Sequence, residues 1–137
     1  MHTLKDAFFE DFCEKVFSLN EQIRFVGLAD GTGHVLAVKY PKRMKRDSGE
    51  IPDVDIARGL LPQVLQVGLY HRVTKYAGEL RYQIGTFDRL HIASIPITYN
   101  PKGSFYLILS IGFESDPVKL IQDQLIPLIE KNKDYLL

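Results

Sequence analysis

The segment SFYLILSIGF, residues 104–113, constrains the fold more than any other part of the chain. Phe105, Leu107, Leu109, Ile111 and Phe113 make one apolar row, and Tyr106 and Ile108 carry apolar character onto the opposite row. A strand with one wet face alternates apolar and polar residues, whereas a strand apolar on both rows is enclosed between layers. The segment therefore predicts a central strand covered on both faces. Two further runs precede it, RYQIGTF (81–87) and LHIASIPI (90–97), both rich in β-branched and aromatic residues. The sequence Asn100-Pro101-Lys102-Gly103 predicts a type I turn before the last strand, with proline presetting φ at its second position.

The first half adds two more strands and two helices. Thr3 to Leu19 has helical spacing, with Leu4, Phe8, Phe12, Val16 and Leu19 on one stripe flanked by Phe9, Cys13 and Phe17. Thr3 and Asp6 resemble a capping box. The runs IRFVGLA (23–29) and HVLAVKY (34–40) read as strands, and the polar segment PKRMKRDSGEIPD (41–53) as a loop. A second helix starts at Asp53 or Asp55, runs to about Tyr76 and stops at Gly78; Pro62 should kink it or open its main segment. A last helix opens at Ser115-Asp116-Pro117 with Val118, Ile121, Leu125, Leu128 and Ile129 as its buried stripe, and Pro127 should bend or fray its end. The order is α-β-β-α-β-β-β-α. It predicts an α/β (α+β) domain over residues 1–137, a five-stranded, mostly antiparallel sheet packed with helices.

The stretch LADGTGHVLAVK (28–39) invites comparison with a phosphate-binding glycine loop. A dinucleotide fingerprint needs a third glycine three residues after the second, then a helix. Leu36 stands at that place and the chain continues as a strand. Without a helix N-terminus there is no fan of free amides to hold a phosphate. Asp30-Gly31-Thr32-Gly33 therefore reads as a hairpin turn in which the glycines supply positive φ.

Composition narrows the function. Seventeen basic residues balance seventeen acidic ones, so no global field draws the chain to nucleic acid or anionic lipid. With a single cysteine no internal disulfide forms, which fits a reducing compartment. The N-terminus has no signal-peptide pattern, no apolar run approaches a membrane span, and the chain reads as cytoplasmic. Cys13, between Phe9 and Phe17, reads as a small core residue. His2, His34, His71 and His91 have no metal-ligand spacing, and the serines have no evident base partner; no metal, cofactor or catalytic residue is expected. Lys39, Lys42, Arg43, Lys45 and Arg46 crowd positive charge that would contact an anion. Asp47, Glu50, Asp53 and Asp55 follow at once, so the run reads first as a solvated loop, and nucleic acid is not an expected partner. The aromatics Phe25, Tyr40, Tyr82, Phe87, Tyr99 and Phe105 fill a core or, on an alternative reading, line a ligand pocket of PAS or GAF type.

The second helix carries the strongest functional hint. Ile56, Ala57, Leu60, Leu61, Val64, Leu65, Val67, Gly68, Leu69 and Tyr76 spread over roughly 200° of its circumference, whereas a helix on a sheet needs a stripe of about 100° or a little more. The surplus calls for a second apolar contact: the same helix of a second copy, or another helix of its own chain.

The element order and the hairpin VGLADGTGHVLAVK resemble the roadblock (dynein light-chain) and longin-like families of the profilin-like class. The patterns FCEKVFSLNEQIRFVG, KYAGELRYQIGTFDRLHIASIPI and LILSIGFESD are also similar to a group of small archaeal proteins. The roadblock resemblance implies a non-catalytic platform, often for small GTPases, that dimerises through the central helix and the strand after it. On that basis the self-association surface is expected to include Leu61, Leu65, Gly68, Leu69, Arg72, Arg81 and Gln83, with a homodimer and an unidentified protein as partners.

Overall fold

A computed structural model describes residues 4–31, 34–39, 73–100 and 103–132. Helix α1 (Leu4–Phe17) is followed by strands β1 (Ile23–Asp30) and β2 (Val35–Lys39). A short helix α2 (Thr74–Ala77) precedes β3 (Gln83–Thr86), β4 (Leu90–Asn100) and β5 (Gly103–Gly112). The chain then forms α3 (Pro117–Leu120), a π-helical turn (Ile121–Leu125) and α4 (Ile126–Lys131). The expected fold class holds: the five strands form one antiparallel sheet in the order β2-β1-β5-β4-β3. Of the second helix, residues 53–72 lie outside the described residues. Where the end of that helix was expected, a separate four-residue helix, α2, opens after a turn at Val73 and stops at Ala77, and Gly78 takes φ 87°. That left-handed position suits glycine after a helix.

Strand β5 sits at the centre and is covered on both faces, as its two apolar rows require. On one face Leu107, Leu109 and Ile111 are buried against Phe12, Cys13 and Val16 of α1 and Ile121, Leu125 and Ile129 of the C-terminal segment. On the other, Ile108 and Ala29 are buried beside the half-buried Phe25, Val35, Ile92 and Tyr106. The buried side of α1 centres on Phe9, Phe12, Cys13 and Val16, with Phe8, Phe17 and Leu19 at its margins. Pro96 is tolerated within β4 because β3 ends its pairing at Gln83↔Ser94. Beyond that point nothing among the described residues pairs with this side of β4, and a missing N–H breaks no ladder there.

Of the two expected turns, one departs in part from expectation and the other is not among the described residues. The Asp30–His34 connection is a hairpin, with Asp30 N donating to His34 O at 2.9 Å and His34 N to Asp30 Oδ1 at 3.0 Å. Among the described residues, however, positive φ occurs at Gly78 alone, so Gly31 does not supply it; Thr32 and Gly33 lie outside them. The Pro101–Lys102 turn also lies outside, between the paired Asn100 and Gly103.

The last helix corrects two expectations. Asp116 caps it as predicted, its Oδ1 accepting from Lys119 N at 3.2 Å, with Pro117 in the first turn. Pro127 does not fray the helix over the described residues, which stay helical to Lys131. The π turn, with Ile126 N bonded to Ile121 O, resets the helix so that Pro127 falls in the first turn of α4. There its missing N–H is an orphan anyway. The extra residue in this wide turn also rotates the preceding one. Leu120 is buried in place of Val118, which is 42% exposed.

Candidate functional site

Strand β3 is the last strand of the sheet, and among the described residues nothing pairs with its outer side. Phe87 N donates to Leu90 O at 2.8 Å, closing the β3–β4 hairpin. The register Gln83↔Ser94 and Gly85↔Ile92 has the same parity. In an antiparallel ladder alternate residues direct both backbone groups to the same neighbour. The amides and carbonyls of Gln83, Gly85 and Phe87 therefore face β4, and those of Ile84 and Thr86 face outward. An open row of backbone groups is a template for another strand.

The side chains along this edge separate by face. Ile84 packs towards the main core. Thr86 Oγ1 meets His91 Nδ1 at 3.0 Å, while His91 Nε2 meets the Phe113 carbonyl at 3.2 Å and its ring stacks on Phe113 at 5.5 Å. Both ring nitrogens of His91 are thus used, and it reads as a structural histidine, not a ligand. On the opposite face the Oε1 of Gln83 is buried with no hydrogen-bond partner. A buried acceptor left unmade costs about 1–3 kcal/mol. Phe87 folds back over Gly85, where an added Cβ would lie 3.3 Å from Cε2 of the ring, and remains 53% exposed. Upstream, Val73 and Tyr76 are also open, Tyr76 at 91%.

Of the expected surface residues, Gln83 lies on this strand and Arg81 is exposed just before it. Leu61, Leu65, Gly68, Leu69 and Arg72 lie outside the described residues, as do Lys42, Arg43, Lys45 and Arg46. Lys39, at the start of the basic run, is in β2 and paired with Glu14 at 2.7 Å. The sequence reading grouped Phe87 with the core aromatics; its place beside Gly85 at the end of the outermost strand exposes it instead. A glycine two residues before an aromatic at a strand end was the available signal.

Other chemistry is not assembled around this edge. Burial, with the Glu10 carboxylate adding to it, pushes the Cys13 thiol up to about 12, so it stays protonated and unreactive. Among the described residues no group of three or more His, Cys, Asp or Glu side chains could hold a metal ion. No helix among them is long and apolar enough to cross a membrane.

No protein-family model matches the chain, and no curated protein matches it in sequence. Solved structures do. The gliding protein mglB from Thermus thermophilus superposes with a TM-score of 0.72 at 14% identity, covering 98% of this chain and 93% of that one. An MglB in a tetrameric arrangement gives 0.73 at 14% identity, covering 98% and 92%. A Roadblock/LC7 domain from Streptomyces avermitilis gives 0.68 at 12% identity, covering 93% and 96%. What this chain shares with all three is a fold, a five-stranded antiparallel sheet with helices, and that fold is the one of the Roadblock/LC7 domain.

Proposed function

We propose that the chain is a non-catalytic interaction module of the cytoplasm that pairs with a second copy of itself and serves as a scaffold or regulator for another protein. A small GTPase is the partner class that the roadblock resemblance implies. The observation that carries this reading is the outer side of β3, with which nothing pairs among the described residues, and its half-exposed Phe87. The apolar surplus of the segment around Leu61, Leu65, Gly68 and Leu69 supports it, as does a neighbouring MglB structure described as tetrameric. The likeness to small archaeal proteins belongs to the same reading.

Light scattering on the full chain at high micromolar concentration tests it. A mass twice that of the 15.7 kDa chain is expected, and a strict monomer would remove the self-association claim. Leu65→Asp should yield a folded monomer; an unfolded protein would assign Leu65 to the intramolecular core instead.

A further inference from the structure

The two contacts that hold His91 also fix where its proton sits. The Phe113 carbonyl can only accept, so the 3.2 Å contact places a hydrogen on Nε2. In the neutral ring Nδ1 is then an open acceptor, and the Thr86 hydroxyl, 3.0 Å away, donates to it. A hydroxyl hydrogen-bonded to an imidazole that a third group orients is the pattern of an activated oxygen nucleophile. We propose that Thr86 is an acyl-acceptor site: its Oγ1 takes the acyl group of an activated ester, with His91 as the general base. The acyl group stays on the chain, so the site adds to the interaction role above and does not depend on self-association.

The fold brings the three groups together from three strands. Thr86 on β3 and His91 on β4 are cross-strand partners. Because Thr86 directs its backbone groups outward, they form a non-hydrogen-bonded pair, the kind in which side chains approach most closely. Phe113 follows directly on β5, and its ring stacks on the imidazole at 5.5 Å and 6° while its carbonyl holds Nε2. The base is therefore held in place at 7% exposure, whereas Thr86 is exposed and open to a reagent. Its hydroxyl stands on the face of the sheet with His91, at right angles to the outward backbone groups. The single thiol of the chain does not compete, since Cys13 is buried and keeps its proton. As Oγ1 bonds to the carbonyl carbon of the ester, its proton passes to Nδ1. When the tetrahedral adduct collapses, the bond to the leaving oxygen breaks and that oxygen takes the proton, which returns His91 to its neutral form. Nothing is oxidised or reduced.

Treating the full-length chain with para-nitrophenyl acetate, and mapping its peptides by mass spectrometry, tests the site. The expected result is an acetyl ester at Thr86 that forms about a hundredfold faster than at the other serine and threonine hydroxyls. His91→Gln keeps an N–H for the Phe113 carbonyl but removes the base, and should bring Thr86 down to the rate of those other hydroxyls. Acetyl groups on lysine amines are read at their own positions in the same map, so they mask neither result. Thr86 acetylated no faster than the other hydroxyls of the wild-type chain would overturn the proposal, whatever the variant does. So would rapid labelling that persists in a His91→Gln chain with native circular dichroism.

Discussion

The thiol of Cys13 makes the alkaline stability of this fold predictable. It is 1% exposed on α1, and its pKa is pushed from 9.0 to about 12, first by burial and then by Glu10. In the unfolded chain the thiol loses its proton from about pH 9, while the native thiol keeps it. The unfolded state then binds fewer protons, so stability falls as pH rises. The contribution is complete below pH 9 and lost as pH climbs towards 12. Between about pH 8 and about pH 10.5 the loss from this one group is about 2 kcal/mol. Urea unfolding at both pH values, for the wild type and Cys13→Ala, measures it. Every other ionisable group is common to the two proteins, so the difference between the two pH slopes isolates the thiol. The alanine variant should be less stable at the lower pH because it leaves a cavity, and should lose about 2 kcal/mol less on going to high pH. Parallel slopes would refute the claim that the native thiol resists ionisation.

The remaining expectations concern the elements that hold the sheet and its helices in place. Leu109 is fully buried on the central strand, so Leu109→Ala should cost about 2–5 kcal/mol in urea unfolding. A loss below about 1 kcal/mol would contradict its place in the core. Asp116→Ala removes the cap on Lys119 N and should cost about 0.5–2 kcal/mol, read as a lowered melting temperature. Asp116→Asn, which can still accept that bond, should recover most of the loss.

Local periodicity carried the parts of the fold that depend on neighbours in sequence. The apolar rows of residues 104–113 implied a strand covered on both faces, and β5 is one. The stripe Leu4, Phe8, Phe12, Val16 and Leu19 implied a helix with one buried side, which centres instead on Phe9, Phe12, Cys13 and Val16, and Asp116-Pro117 marked a helix start to the residue. These signals are local because a 3.6-residue or two-residue repeat places side chains on faces whatever the rest of the chain does. The candidate site was legible only in part. Arg81 and Gln83 were marked through the resemblance, whereas Phe87 was assigned to the core. Its exposure follows from β3 being the outermost strand, and strand order is set by pairings between distant segments that no local window contains.

The same division explains the C-terminal helix and the backbone of the edge. Pro127 announced a disturbance, but whether the helix frays or widens depends on which residues the sheet must bury, and burying Leu120, Ile121, Leu125 and Ile129 together selects the π turn. That Ile84 and Thr86 point their amides away from the sheet is decided by the register of β3 on β4. Side-chain alternation is written in the sequence; the direction of the hydrogen bonds exists only once two strands have met, since it is a property of the pair and not of either segment.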